Sequence, residues 1–157
     1  MPRSLRARTP VGPFREVASE IVMQRMRVKT RKKREIVDIT DRLQEMIAKS
    51  YNGQSGFCHL SVLHTTAALT TADLDPGTDL DMLDAFEAMI PKLRYRHQHD
   101  PEHVPDHILS ALIGTSVSVP VDKSQLVLGT WQRVVLVELD GPRERELVVS
   151  LATERVA

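Results

Sequence analysis

The chain has 157 residues, 41% of them hydrophobic, with 21 Lys+Arg balanced by 21 Asp+Glu and a single cysteine. That length suits one domain with a core of its own, and one cysteine excludes both an intrachain disulfide and a multi-cysteine zinc site. No apolar run approaches the ~20 residues that span a bilayer, and the arginine-dotted start lacks the apolar stretch of a signal peptide, so the cytoplasm is the expected location and a membrane is not an expected partner.

The zero net charge conceals an asymmetry. Residues 1–34 hold 11 Lys+Arg against 2 Asp+Glu, whereas residues 35–157 hold 10 against 19. Residues 1–17 carry three prolines and no periodicity and read as a flexible basic leader, which leaves 18–157 as a single domain. In that domain Met26 and Val28 alternate with Arg25, Arg27 and Lys29, and E-I-V-D-I follows a basic turn, which reads as a β-hairpin. The basic stretch 27–34 has no aromatic residues interleaved for base stacking, so it reads as a solvated hairpin tip and not as a nucleic-acid site.

Thr40 or Asp41 can cap a first helix, with Gln44 in capping-box position and Leu43, Met46 and Ile47 forming its apolar stripe up to Tyr51-Asn52-Gly53. G-F-C-H-L-S-V-L-H reads as a strand with Cys58, Leu60 and Val62 on one face, where Cys58 acts as a small buried hydrophobe. T-T-A-A-L-T-T-A reads as another strand. D-L-D-P-G-T-D then opens a second helix with Leu80, Leu83, Phe86, Ala88, Met89 and Ile90 on its apolar side, and the acidic Asp79 and Asp81 suit its electropositive first turn. A short third helix has Pro105 at its first position and Gly114 as its stop. From Ser116 onward the pattern reads as an antiparallel meander, with a bulge near Gly129 and Trp131 in the core. Strands at both ends with helices between them argue for α+β.

All six histidines fall within the 49 residues from His59 to His107. Beside the acidic residues of that stretch they suggest either metal ligands or acid-base groups near neutral pH. His59 and His64 are an odd number of residues apart, so in an unbroken strand they face opposite sides. His103 and His107 have helical spacing, but Pro105 disfavours helical geometry at Val104 and separates His103 from the helix. His64, His97 and His107 are left as the leading group. The motifs of nucleotide P-loops, dinucleotide folds and serine hydrolases are absent.

Five ordered segments carry a resemblance: H-T-T-A-A-L at 64–69, D-P followed by Asp81, Y-R-H at 95–97, P-D-H-I-L-S-A-L-I-G-T-S at 105–116 and L-G-T-W-Q-R-V-V-L-V-E-L-D at 128–140. Together they resemble the YjbQ family over about residues 20 to 150. The resemblance implies two packed, mainly antiparallel β-sheets with two to three helices, assembled as a homotrimer. It also implies a secondary thiamine-phosphate synthase activity, which joins a pyrimidine diphosphate to a thiazole phosphate and releases pyrophosphate. On that reading His64, His97 and His107 form a catalytic or metal centre at a subunit boundary, with zinc or magnesium as the expected cofactor. Thr66, Arg96, Thr130, Trp131, Gln132 and Glu138 are then the expected contacts to a small phosphorylated substrate. Arg94, Arg96 and Arg133 are the nearby cations available to the leaving pyrophosphate. The family usually shows an Asn-Glu pair after the H-T-[ST]-A-A-L motif, where this chain has Ala72-Asp73. That departure keeps open a metal-dependent hydrolase of a small metabolite, or a non-catalytic metal or small-ligand binding trimer.

Overall fold

The computed structural model describes residues 19–154; the leader expected over 1–17 lies outside the described residues. Eight strands and three helices follow in the order β1 (Ser19–Lys29), β2 (Glu35–Asp38), α1 (Thr40–Tyr51), β3 (Gly56–Val62), β4 (Ala67–Ala72), α2 (Thr78–Met89), α3 (Val104–Ile113), β5 (Ser116–Asp122), β6 (Gln125–Leu126), β7 (Arg133–Glu138) and β8 (Glu144–Glu154). They form a five-stranded sheet in the order β1-β8-β3-β5-β6 and a three-stranded sheet in the order β2-β7-β4, with every pairing antiparallel. The chain therefore has the expected α+β architecture of two sheets. Among the described residues no helix is long and apolar enough to cross a membrane.

The central strand of the smaller sheet explains why there are two cores. Arg-Val-Val-Leu-Val-Glu in β7 is apolar at both strand parities, so both of its faces must be covered. Val134 and Leu136 turn toward the larger sheet and α1, joining Met26, Leu60, Leu147 and Val149. Val135 and Val137 turn the other way, toward α2 and α3, and join Ala68, Leu83 and Leu109. Fully burying a Val or Leu side chain contributes roughly 1.5–3 kcal/mol, so this one strand anchors both layers.

Two connectivities differ from the sequence reading for that reason. β1 and β2 are not a hairpin: β1 pairs with β8 in the larger sheet and β2 with β7 in the smaller, so the basic turn is a crossover. The C-terminal strands are likewise no meander. Only β5 and β6 form a hairpin, and the chain changes sheet before and after β7.

Helix α1 buries Leu43, Ile47 and Tyr51 on one stripe and ends where Asn52 adopts a left-handed conformation. Its start is held by Asp38, whose Oδ1 accepts from the Thr40 amide at 3.0 Å and the Thr40 hydroxyl at 2.7 Å. Gln44 makes no capping box. It instead clamps the β5–β6 turn, donating to the Ser124 carbonyl at 2.8 Å and accepting from the Leu126 amide at 2.9 Å. Helix α2 buries only Leu83, leaving Leu80 and Met89 58% and 62% exposed, so much of its expected apolar side lacks a partner among the described residues. Val104, expected to precede α3, has helical φ/ψ, because a 3₁₀ turn at Pro101–His103 runs directly into the helix.

Candidate functional site

The site begins with a buried ion pair. Arg145 shares strand parity with the inward-facing Leu147, Val149 and Leu151 of β8, so its guanidinium is carried inside, where it is 2% exposed. Such a charge needs full pairing. Arg145 Nε donates to Glu138 Oε2 at 2.9 Å, and Nη2 donates to Glu138 Oε1 and, at 2.9 and 3.0 Å, to the hydroxyl and carbonyl of Thr66. Glu138 also accepts from the Thr30 hydroxyl at 2.8 Å and the Asp140 amide at 3.0 Å. Burial pushes the Glu138 carboxyl up, but the bonds from Arg145, Asp140 and Thr30 outweigh it and hold it below the usual carboxylate range. Glu138 thus holds Arg145 in place, and neither of its oxygens is left for a ligand.

Above this pair lies a cleft of about 420 Å³ lined by His64, Thr66, His103, His107, Asp140 and Arg143 among others. His64 sits just past the end of β3, and its Nε2 accepts from the Glu146 amide at 2.9 Å. That bond assigns the proton to Nδ1. Burial, then the neighbouring Arg145 charge, hold His64 below the ordinary histidine range, so it is neutral at pH 7. His107, on the first turns of α3, has Nδ1 at 3.0 Å from the Thr65 carbonyl, which can only accept. Nδ1 of His107 must therefore carry the hydrogen, leaving Nε2 as an open acceptor. The two histidines of the cleft are thus held by backbone groups in opposite roles: the Glu146 amide donates to His64 and the Thr65 carbonyl accepts from His107.

His97 stands behind His107, the two rings stacked at 5.3 Å and 17°. Its Nδ1 accepts from the Asp100 amide at 3.0 Å. His103, set aside in the sequence reading, lines the cleft, because the 3₁₀ turn places it one helical turn before His107. It bridges Asp100 at 3.1 Å and Asp140 at 3.5 Å. His59 lies on the outer face of β3, at 2.7 Å from the Ser118 hydroxyl. His99 meets only the edge of the His97 ring, at 6.1 Å.

The expected trio does not fit a metal centre within this chain. Near-parallel stacked rings send the lone pairs of His97 and His107 along separate planes, and the Nε2 of His64 is already bonded. Among the described residues no three His, Cys, Asp or Glu side chains converge as ligands.

The other expected substrate contacts divide between two ends of the smaller sheet. Thr66 precedes β4 at the histidine end, while Thr130, Trp131 and Gln132 form the turn before β7 at the other. The register pairs Ala67 with Glu138 and Ala72 with Arg133, so these ends are five residues apart, roughly 17 Å along the strand. Trp131 is 71% exposed and not in the core. With Thr130, Asp38, Asp73 and Arg133 it lines a small cleft of about 210 Å³. Gln132 closes its own turn by accepting from the Gly129 amide at 2.8 Å. Arg133 is engaged by Asp38 at 2.7 Å and Asp41 at 3.0 Å. Arg96 is exposed and lies on none of these surfaces. Sequence reasoning missed Arg145, although its place in the alternation Arg145, Leu147, Val149 marks it as a buried charge.

The fold and site define a class of small α+β domain: two antiparallel sheets with a histidine-lined cleft over a buried arginine. The particular family is shown by comparison: the model of the UPF0047 protein YjbQ-like family matches residues 24–154, and the chain belongs to it. A UPF0047 protein of Archaeoglobus fulgidus is 36% identical over 123 residues, covering 78% of this chain and 94% of that protein. One from Mycobacterium tuberculosis H37Rv is 39% identical over 115 residues, covering 71% and 84%. The crystal structure of a YbjQ-like protein of unknown function from Sulfolobus solfataricus superposes with a TM-score of 0.80 at 32% identity, covering 87% of this chain and 100% of that one.

Proposed function

We propose that the histidine cleft is the catalytic site of a cytoplasmic enzyme acting on a small phosphorylated substrate, and that thiamine-phosphate synthesis is the reaction it fits. The observation that carries this reading is the opposed tautomer pair, with His107 Nε2 as an open acceptor and His64 Nδ1 as a donor. In the reaction the thiazole nitrogen attacks the pyrimidine methylene carbon. The new C–N bond forms as the C–O bond to the diphosphate breaks, and pyrophosphate leaves. His64 can donate a hydrogen bond from Nδ1 to a leaving-group oxygen while keeping its proton, and Arg143 at the cleft wall can balance the charge of the departing pyrophosphate. Within one chain the histidines direct no shared set of lone pairs at one point, so zinc or magnesium would need ligands from a neighbouring copy or from the substrate's phosphates.

The homotrimer expected from the resemblance would bring more residues to the same cleft. The unpartnered Leu80 and Met89 of α2 and the exposed Trp131 are apolar surface for a subunit contact, and a neighbouring copy could carry its Thr130-Trp131-Gln132 turn to the histidine cleft. The test is pyrophosphate release from the two phosphorylated precursors by the purified protein, alongside rescue of a thiamine-requiring strain. His64→Ala and His107→Ala are each expected to slow turnover by about 10²–10⁴-fold with the circular dichroism unchanged. No release by the wild type would remove thiamine-phosphate synthesis and favour a binding trimer; rates equal to the wild type's in both variants would remove the two histidines from catalysis.

A further inference from the structure

A larger cleft lies beside the histidine site and shares only His103 with it. It has a volume of about 760 Å³, within the roughly 300–1,000 Å³ typical of small-molecule sites. We propose that it binds a small phosphomonoester with a flat apolar body, Arg34, Lys92 and Arg94 receiving the phosphate and Ile90, Pro105 and Leu109 the ring.

The argument starts from Arg34. Its Nη2 donates to the buried Asp106 at 2.7 Å, while its Nη1 is the one buried side-chain nitrogen or oxygen among the described residues with no hydrogen-bond partner. Native structures leave few such donors, and a ligand oxygen at this wall is a direct way to satisfy it. Lys92 and Arg94 line the same cleft and make no ion pair among the described residues. The bend that presents them is closed by the Tyr95 hydroxyl, which donates to the Pro91 carbonyl. Arg34 is paired with Asp106 and Lys33 with Asp140 at 3.5 Å, so Lys92 and Arg94 are the cations of this wall that stay available, facing Glu87 and Glu102. Two available cations beside a spare guanidinium donor offer more hydrogen-bond donors than the two oxygens of a carboxylate can use, and the three terminal oxygens of a phosphomonoester match them better. The apolar wall, with Leu109 fully buried behind it, gives a flat body a surface from which to exclude water.

Binding here needs no chemistry at His64 or His107, so it stands apart from the catalytic reading. The test is isothermal titration of the full chain with phenyl phosphate, benzoate and inorganic phosphate. Phenyl phosphate is expected to bind at least about tenfold more tightly than either of the others. The double variant Lys92→Gln/Arg94→Gln removes two exposed cations that the fold does not use, and it is expected to weaken phenyl phosphate about tenfold while His107→Ala leaves it unchanged. Equal affinity of benzoate or inorganic phosphate, or an unaffected double variant, would overturn the proposal. Loss of binding in His107→Ala with retention in the double variant would move the anion to the histidine cleft and overturn it equally.

Discussion

Glu138→Gln isolates the buried ion pair. The substitution keeps the shape and two polar atoms but leaves Arg145, 2% exposed, without a countercharge. Removing one partner of a buried pair costs about 3–5 kcal/mol. In a domain of 157 residues each kcal/mol moves Tm by roughly 2–4 °C, which puts the expected fall at roughly 6–20 °C. The double variant Glu138→Leu/Arg145→Met removes both charges and leaves only the Thr30, Thr66 and Asp140 groups short of a partner, so it should lose less than the two single changes added together. Urea unfolding followed by circular dichroism measures all five proteins: the wild type, Glu138→Gln, the single changes Glu138→Leu and Arg145→Met, and the double variant. The pH dependence has a definite sign: with the folded carboxyl depressed, the pair's contribution is complete above the unfolded value near ~4.3 and drains away as pH falls below it. Glu138→Gln should lack that acid limb. A variant within about 1 kcal/mol of the wild type, or strictly additive losses, would refute the pairing argument.

His64, held low by burial and Arg145, should titrate by NMR below the ordinary value of about 6.5, and its share of stability should fall as pH drops through that value because the unfolded chain takes up the proton first. A titration at or above 6.5 would contradict the bond from Glu146. Gly56→Ala would put a Cβ 1.8 Å from the Ala152 carbonyl oxygen, a backbone clash between two paired strands, and should cost well over 2 kcal/mol in urea unfolding; near-wild-type stability would show that β3 and β8 approach less closely there. Gln44→Leu should lose about 1–3 kcal/mol by stranding the Leu126 amide and the Ser124 carbonyl; a loss under about 0.5 kcal/mol would mean the turn holds without the clamp.

The elements were legible in the sequence where one face alone is buried. Leu43, Ile47 and Tyr51 mark α1 by their spacing, and Cys58, Leu60 and Val62 mark the inner face of β3. Pairing was not legible, because alternation gives a strand's faces without naming its neighbour, and so β1 and β2 read as a hairpin. The clearest overlooked clue was the run Val134–Val137, which demands cover on both faces and hence a second core. At the site, His64 and His107 do share a cleft. The strand parity that separated His59 from His64 stops at Val62, where β3 ends, although the two histidines lie apart all the same. The proline argument failed at Val104 because its φ/ψ remain helical behind Pro105, and that brought His103 into the cleft.

The crossovers between sheets explain why the site lies where it does. Three of them, near residues 30–34, 63–66 and 139–143, meet at one end of the smaller sheet, and backbone leaving both sheets there needs polar partners. The Arg145–Glu138 pair serves all three, bonding Thr30 from the first, Thr66 from the second and the Asp140 amide from the third. The groups that fix the histidine tautomers belong to the same knot, since the Thr65 carbonyl precedes Thr66 and the Glu146 amide follows Arg145. Stability and chemistry are therefore coupled through one charge pair. A change that loosens it acts on the strand segments that carry the Thr65 carbonyl and the Glu146 amide, so the orientation of His64 and His107 depends on the same charge pair as the fold.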